Sequence, residues 1–235
     1  MNGRRLACVA ALGGLVLACT TGGPPAASPD LAPGMRRIDA ETLEGERSFL
    51  SGWAPRTEDG SVRMVVEIPA GRLDKWEVKE DGRLHWDQED GKPRVVRYLG
   101  YPVNYGMVPR TVLSEARGGD GDPLDILVLG ASLPRGSVVE ARVIGMILLT
   151  DRGEVDDKLL AVARGTPFER VEDLAALERE FPGVTQILET WFLHYKGPGK
   201  MQARGFAGRD EALAALEQAI ADYAAAHPDV SGTRP

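Results

Sequence analysis

The stretch DGDPLDILV, residues 120–128, places three aspartates immediately before an apolar run. On an extended backbone Asp120 and Asp122 point to the same side, whereas Pro123 fixes a local turn and frees Asp125 from simple alternation. Carboxylates held this close repel one another and stay ionised together only where cations neutralise them. Donors that are all oxygen suit Mg²⁺ or Ca²⁺ better than Zn²⁺. The stretch predicts a β-strand that begins at a cluster of metal-binding carboxylates.

Other interpretations of the same aspartates remain open at this point. A bare Asp-x-Asp-x-x-Asp pattern is more often a solvated acidic turn than a metal site. A calcium EF-hand loop does not fit, because Leu124 takes position 5 and Asp125 replaces the glycine that position 6 requires. Motifs elsewhere in the chain must decide between the turn and the site.

β-Strand patterns surround the stretch on both sides. Apolar or alternating runs predict strands at residues 62–68, 75–78, 83–86, 94–99, 126–129, 138–149 and 159–162. Asp81-Gly82 is a hairpin signal between the second and third runs, and Gly145 inside the longest run indicates a bulge or a sharp bend.

Helical patterns follow later in the chain. Residues 171–181 are amphipathic and are stopped by Pro182-Gly183, and a last helix is predicted from about residue 210 to 226. Between them an apolar stripe repeats at helical spacing and consists of Val184, Ile187, Leu188, Trp191, Phe192 and Tyr195. The order of elements predicts a small, bent, mostly antiparallel barrel with helices packed outside it.

Taken together, the motifs resemble those of the family I soluble inorganic pyrophosphatases. Asp-x-Asp-Pro-x-Asp is present at residues 120–125 and Asp-x-x-x-x-Asp-x-Lys at residues 151–158. Glu67-Ile68-Pro69, Asn104-Tyr105-Gly106 and Trp191-Phe192-x-x-Tyr195-Lys196 also match. The resemblance runs from about residue 62 to 223, and several motifs in family order are far more specific than any one of them.

The resemblance implies a mainly β fold with α (α+β), namely an OB-like five-stranded closed barrel with extra hairpin strands and two to three flanking helices. The pyrophosphatase domain would occupy residues 61–226, between a partly ordered extension at 36–60 and a disordered tail at 227–235. The implied reaction is hydrolysis of pyrophosphate to two phosphates by a metal-bound hydroxide. Mg²⁺ is the expected cofactor, with Mn²⁺ or other divalent cations as alternatives, and the protein would be a monomer or a homo-oligomer.

Six acids match the metal side of the family's site: Glu67, Glu77, Asp120, Asp125, Asp151 and Asp156. Asp120, Asp125 and Asp156 would hold the two activating metals, with Asp125 bridging them. Asp151 would join Asp156 in holding a third metal ion. Glu67 would contact a further metal that arrives with the substrate. Two metal ions bound in this way lower the pKa of a bridging water and neutralise the negative charge that develops during the displacement.

The residues that match the substrate side are Lys75, Arg97, Tyr105, Lys158, Tyr195 and Lys196. Lys75 and Arg97 would neutralise the leaving phosphate, and with Tyr105 and Asp122 they form the expected catalytic set. Asp122 would accept the proton of the attacking water. Arg94 is an alternative to Arg97, because the stretch between Arg97 and Tyr105 is shorter than in familiar members.

The N-terminus predicts export and a lipid anchor. A basic head and a short apolar run at residues 1–18 have the pattern of a secretory signal peptide. Val16-Leu17-Ala18-Cys19 resembles the bacterial lipobox, which implies acylation of Cys19, and residues 19–35 would form a flexible tether. The expected location is the periplasmic side of the cell envelope, with the outer membrane favoured in a Gram-negative cell because residue 20 is Thr rather than Asp.

Composition narrows the classes of function. The 235 residues include 28 basic and 35 acidic side chains, and a net charge of −7 argues against a nucleic-acid binder. Two cysteines cannot build a disulfide scaffold or a cysteine-based zinc site. The alternatives to the enzyme are a catalytically weak member that binds phosphate compounds or divalent cations at the cell envelope, and a phosphohydrolase of another small anhydride. Asp122 favours the enzyme, since a binding protein has no chemical need for a base.

Overall fold

The structure is a computed structural model that describes residues 30–228. The predicted signal peptide at residues 1–18, Cys19, most of the tether and most of the tail lie outside the described residues. Within residues 30–228, no helix is both long enough and apolar enough to cross a membrane.

Strands occupy the described chain up to residue 163, and the three helices follow, with one strand between the second and the third. The strands are β1 (Arg36–Arg37), β2 (Thr42–Glu44), β3 (Val62–Ile68), β4 (Trp76–Val78), β5 (Leu84–Trp86), β6 (Gln88–Glu89), β7 (Lys92–Pro93), β8 (Asn104–Met107), β9 (Asp125–Leu129), β10 (Val138–Asp151), β11 (Glu154–Val155), β12 (Lys158–Ala163) and β13 (Met201–Ala207). The helices are α1 (Leu174–Glu180), α2 (Val184–His194) and α3 (Arg209–Ala226), with a 3₁₀ turn at Glu115–Arg117. The mainly β class with flanking helices is confirmed.

Five strands pair in a cycle that returns to its starting strand. β3 pairs with β8, β8 with β9, β9 with β12, β12 with β10, and β10 again with β3. The long strand β10 closes this cycle and also pairs with β11 and β13. Its register with β12 shifts between Val143 and Gly145, which confirms the predicted irregularity at Gly145. The apolar faces of these strands and of the helices form the main core.

One parallel pair brings distant charged residues together. β9 and β12 run parallel, and their register sets Asp125 opposite Lys158 at the first residue of each strand. β8 lies antiparallel to β9 on its other side and pairs Tyr105 with Leu127. Loops that enter β9 and β12 therefore meet at one edge of the sheet, and this edge carries the acidic motifs.

The helices differ from the sequence prediction at two places. α1 begins at Leu174 rather than Val171, because the side chain of Asp173 caps the helix and accepts a hydrogen bond from the Ala176 amide at 2.7 Å. In α2, Leu188, Trp191 and Phe192 are buried, but Ile187 is 60% exposed. The buried face of α2 is therefore narrower than the predicted stripe.

The predicted strand at residues 94–99 is wrong. The strand β7 ends at Pro93, and Val95 makes only an isolated bridge to Asp74. Hydrogen bonds to neighbouring backbone groups hold this segment instead. The Arg94 amide donates to the carbonyl oxygen of Asp87 at 2.7 Å, and the Val96 amide donates to the carbonyl oxygen of Leu73 at 2.8 Å. The residues of this segment thus do not alternate as in a strand.

The segment before the main domain packs against a second, smaller sheet. β1 and β2 join β5 and β4 in a four-stranded sheet. Leu43 and Phe49 are buried in a cluster with Trp76 and Leu84, and this cluster lies against Val65 of β3. The β4–β5 hairpin, which supplies several charged residues to the site, is supported from behind by this extension.

Candidate functional site

A cavity of about 300 Å³ gathers most of the predicted residues. Its charged and tyrosine lining consists of Glu67, Lys75, Glu77, Lys79, Asp87, Arg94, Tyr105, Asp120, Asp122, Asp125, Asp151, Asp156, Lys158, Tyr195 and Lys196. Eight carboxyl groups thus share one cavity with five basic groups. Excess negative charge in a confined space favours the binding of cations.

The centre of the cavity is a buried ion cluster around Lys158. The Lys158 ammonium donates to the carboxylates of Asp125 and Asp156, at 2.8 Å for Asp156, and the side chain is only 1% exposed. The Tyr105 hydroxyl donates to Asp125 at 2.6 Å. Although burial opposes its charge, the carboxylates of Asp125 and Asp156 raise the pKa of Lys158 above its ordinary value. The ammonium therefore stays protonated.

Gly106 has a steric role in the motif that carries Tyr105. A Cβ atom at this position would overlap the carbonyl oxygen of Val65 on the neighbouring strand β3. Only glycine lets β8 approach β3 this closely. The register between the two strands shifts here, between Val66 and Ile68, so that Glu67 lies at the irregularity. Tyr105 and Glu67, on these two neighbouring strands, both line the cavity.

Glu67 is a buried carboxyl group that accepts one hydrogen bond from residues 30–228. The Val78 amide donates to its Oε1 at 2.6 Å, and Glu67 is only 4% exposed. Burial raises the pKa of Glu67 to about 8, against the lowering effect of the Val78 amide. Glu67 can therefore hold a proton at neutral pH until a cation enters the cavity.

The β4–β5 hairpin supplies a second ion cluster. The Lys75 ammonium donates to Glu77 and lies 3.8 Å from Asp87, which in turn accepts from Arg94 Nη1 at 2.9 Å. Burial, and then the charge of Arg94, lower the pKa of Lys75 to about 8. Lys75 and Arg94 thus present two cations at one wall of the cavity.

Asp120 and Asp122 lie on an exposed loop before β9. The Asp122 amide donates to Asp120 Oδ1 at 3.0 Å, and Gly121 between them has a φ of +84°. No group within residues 30–228 donates a hydrogen bond to the Asp122 carboxylate. Partial loss of solvent, and then the charge of Asp120, raise the pKa of Asp122. A free carboxylate of raised basicity suits a proton acceptor.

The remaining site residues are Asp151 at the end of β10 and Tyr195 and Lys196 directly after α2. Lys196 Nζ donates to Asp151 Oδ2 at 2.7 Å. Tyr195 is buried and stacks on Trp191 at 4.4 Å between ring centroids. Burial raises the pKa of the Tyr195 hydroxyl, so it remains a proton donor. Tyr195 therefore belongs both to the core and to the cavity lining.

Two carboxylate oxygens test whether cations fit this site. Asp151 Oδ1 and Asp156 Oδ2 are buried and have no hydrogen-bond partner among the described residues. Oxygens of this kind are costly unless a cation or water satisfies them, and they are the ligands that Mg²⁺ prefers. No three acidic, histidine or cysteine side chains of residues 30–228 already form a metal-binding group, and the Lys158 ammonium bonds both Asp125 and Asp156. The donor set fits divalent cations, which would compete with this ammonium.

Arg97 is the predicted site residue that the structure leaves out of the cavity. Its side chain is exposed and lines a neighbouring depression, whereas Arg94 lines the cavity itself. Arg97 was predicted from the family resemblance, whereas in the structure the loop at residues 94–99 brings Arg94 to Asp87. Arg94, named from the sequence as the alternative, therefore holds the position beside Lys75.

Asp87 and Lys79 were missed from the sequence. The register of the β4–β5 hairpin pairs Trp76 with Trp86, which sets Asp87 opposite Lys75. This register follows from the Asp81-Gly82 turn, so the hairpin signal contained the information that would have found Asp87.

A family model of inorganic pyrophosphatase matches residues 64–224. The chain belongs to the inorganic pyrophosphatase family. Among its relatives, the mitochondrial inorganic pyrophosphatase of Saccharomyces cerevisiae is 32% identical over 171 residues, which are 64% of this chain and 55% of the relative. The inorganic pyrophosphatase of Corynebacterium efficiens is 35% identical over 173 residues, which are 70% of this chain and 99% of the relative.

Solved pyrophosphatases share the fold. The Helicobacter pylori enzyme aligns with a TM-score of 0.62 at 30% identity, covering 73% of this chain and 98% of that one. The type I inorganic pyrophosphatase from P falciparum aligns with a TM-score of 0.72 at 25% identity, covering 84% of this chain and 69% of that one. The chain thus spans about half of the yeast relative but nearly all of the bacterial pyrophosphatases.

Proposed function

We propose that this protein hydrolyses inorganic pyrophosphate to two phosphates with the help of divalent cations, Mg²⁺ being the expected one. The observation that carries the proposal is one cavity whose lining combines lysines, an arginine and two tyrosines with aspartates that have buried oxygens lacking a hydrogen-bond partner among the described residues. Such a site matches a substrate that is strongly anionic and arrives together with metal ions. The cyclic pairing of five strands supports an OB-like barrel as its frame.

The acidic wall would hold the metal ions. The residues in this role are Asp120, Asp125, Asp151 and Asp156, with Glu67 and Glu77 also in the lining of the cavity. When bound, divalent cations lower the pKa of a coordinated water and neutralise phosphate oxygens. Lys158 and Tyr105 both bond Oδ2 of Asp125, so Asp125 would offer its other oxygen, Oδ1, to a cation.

The remaining residues bind the substrate and move a proton. Asp122 accepts the proton of the attacking water, a role that its free carboxylate and raised pKa support. Lys75 and Arg94 lie together at the wall where the leaving phosphate gains negative charge. Lys158, Lys196, Tyr105 and Tyr195 donate hydrogen bonds to phosphate oxygens and orient the anhydride for in-line displacement.

Phosphate release by the purified full-length chain tests the proposal. Release from pyrophosphate in Mg²⁺, abolished by EDTA and restored by excess Mg²⁺, is the expected result. Absence of release with Mg²⁺, Mn²⁺ and other divalent cations would overturn it.

We also propose that the enzyme acts outside the inner membrane through a lipid anchor on Cys19. This proposal rests on the sequence of residues 1–19 alone. Cells fed a radioactive fatty acid should label the parent chain and not the Cys19→Ser variant. Equal labelling of both chains, or of neither, would remove the anchor from the account.

A further inference from the structure

An apolar patch lies on the surface of the domain, close to where the described chain begins. Of the six large apolar side chains that are exposed among residues 30–228, five belong to neighbouring segments. They are Leu73, Val95, Tyr98, Leu99 and Ile187, which we call the apolar patch, and Leu99 is 70% exposed. Single exposed apolar side chains need no explanation, but a contiguous group indicates contact with something other than water.

Two loops of the patch are joined through their backbones. The Val96 amide donates to the carbonyl oxygen of Leu73 at 2.8 Å, so Val95 and Leu73 lie on neighbouring segments. A Cβ atom at Gly100 would overlap the carbonyl oxygen of Gly71. Glycine therefore lets the end of the second loop pack directly against the first.

Helix α2 supports the patch from behind. The indole nitrogen of Trp191 donates to the carbonyl oxygen of Leu99 at 3.0 Å, and the Trp191 ring lies 6.4 Å from that of Tyr98. Ile187 precedes Trp191 by one turn of the same helix. Trp191 itself is buried in the main core, so the patch is fixed to the rigid part of the domain.

The described chain begins at the edge of the patch. The Arg135 amide donates to the carbonyl oxygen of Asp30 at 2.9 Å, and Arg72 Nη1 lies 3.3 Å from Asp30 Oδ2. Leu73 follows Arg72 directly. Asp30 is eleven residues after Cys19, and a chain of this length spans at most about 40 Å, which is about the width of a 200-residue domain. An anchor on Cys19 would therefore hold this face of the domain nearest to the membrane.

The size and composition of the patch favour a lipid surface over a second copy of the chain. A stable dimer buries about 800 Å² on each partner, from roughly 20–30 residues, whereas the patch has five side chains. Arg97 lies between Val95 and Tyr98 in the chain, is exposed, and forms no ion pair with any residue in the described part of the chain. Aliphatic side chains beside a tyrosine and a free arginine are typical of surfaces that bind at the headgroup level of a bilayer.

We propose that the apolar patch docks the domain on the surface of the phospholipid membrane to which Cys19 ties the chain. The inference rests on the proposed lipid anchor. Five side chains alone would bind a bilayer weakly, but an anchor within reach makes the contact intramolecular and raises its effective concentration to about the millimolar range. Docking would leave α3 in solvent, since Leu216 of α3 and Trp191 belong to different core clusters.

A fluorescent label at a single thiol tests the contact. The chain has two cysteines, so the Cys8→Ala variant with an acylated Cys19 has no free thiol. In this full-length chain, Leu99→Cys places one thiol in the patch, and the control Ala221→Cys places it at an exposed residue of α3. Each chain is purified as cells produce it, labelled with an environment-sensitive dye and reconstituted in vesicles of phosphatidylcholine and phosphatidylglycerol.

The two positions should respond differently to the vesicles. We expect the emission of the dye at position 99 to shift to shorter wavelength and to be quenched by nitroxide-labelled lipid, with neither change at position 221. Adding Tyr98→Ser and Ile187→Ser to the Leu99→Cys chain removes apolar contacts and should abolish both changes. Thermal melts and the rate of pyrophosphate hydrolysis, which should match those of the parent, show whether these variants remain folded.

The outcomes separate docking from the anchor and from the enzyme activity. A parent chain that takes up no radioactive fatty acid would overturn the anchor, and docking with it, while pyrophosphate hydrolysis stays a separate measurement. An acylated chain whose dye at position 99 shows neither shift nor quenching, or responds as at position 221, would overturn docking alone. A Cys19→Ser chain that sediments as a dimer, and whose dye at position 99 shifts with protein concentration without vesicles, would assign the patch to a second copy instead.

Discussion

Replacing Lys158 by Met should destabilise the metal-free protein far more than the metal-bound protein. Lys158 is 1% exposed and its ammonium bonds both Asp125 and Asp156. Methionine fills a similar volume without a charge, so Lys158→Met leaves two neighbouring carboxylates without their cation. Divalent metal ions would neutralise the same carboxylates in place of the ammonium.

The magnitude follows from the burial of the three groups. Removing one partner of a buried ion pair costs about 3–5 kcal/mol, because a buried charge remains uncompensated. The side chains of Asp125 and Asp156 keep 17% and 14% exposure, so some water can reach them and the lower end applies. We expect Lys158→Met to lower the free energy of unfolding by about 3 kcal/mol in EDTA. In saturating Mg²⁺ this difference should shrink to below about 1 kcal/mol.

Urea denaturation in EDTA and in Mg²⁺, followed by circular dichroism, measures both differences. Lys92→Met is the control, since Lys92 is exposed and forms no ion pair within residues 30–228. Equal m-values for all chains would show that the transitions are comparable. If Lys158→Met loses the same stability with and without Mg²⁺, metals do not bind where the ammonium lies, and the assignment of Asp125 and Asp156 is refuted.

Two further predictions concern the same cavity. The pKa of Glu67 is about 8 in the folded protein, against an ordinary value of 4.5. Between these two pH values the folded chain keeps a proton that the unfolded chain releases. The stability of the metal-free protein should therefore fall as the pH rises from 5 to 8. Urea denaturation in EDTA at pH 5 and pH 8 measures this loss of free energy of unfolding. The loss should be larger for the parent than for Glu67→Gln, by on the order of 3 kcal/mol. An equal pH dependence of stability in the two chains would contradict the burial of this charge. Arg94→Met should lower the rate of pyrophosphate hydrolysis by about 10²-fold and Arg97→Met by less than about threefold, and the reverse order would return Arg97 to the cavity.

The sequence was most informative where short motifs coincide with element starts. Asp125 and Lys158 were predicted as partners of one site, and the parallel register of β9 and β12 places them opposite each other. Each lies in a short motif at the start of an apolar run, so strand propensity and carboxylate spacing predict its position. The distance between them along the chain did not matter, because the motif order indicated the family.

The sequence was least informative where the backbone leaves regular structure. The run at residues 94–99 has the apolar content of a strand, yet hydrogen bonds to Leu73 and Asp87 hold it as a loop, and Arg94 rather than Arg97 reaches the cavity. Strand propensity describes a residue's fit to a sheet and cannot register such tertiary competition. The contact of the Lys158 ammonium with both Asp125 and Asp156, the aspartates proposed to bind metal ions, could not be predicted either, since motif spacing does not give side-chain distances.

The central claim is that this cavity hydrolyses pyrophosphate with Asp122 as the proton acceptor. The most direct measurement is the rate of phosphate release in Mg²⁺ by the parent, by Asp122→Asn and by Asp210→Asn, which makes the same chemical change at an exposed residue in the first turn of α3. The account predicts release by the parent and by Asp210→Asn at similar rates, and a fall of about 10²–10⁴-fold in Asp122→Asn. A rate for Asp122→Asn equal to that of the parent would contradict it.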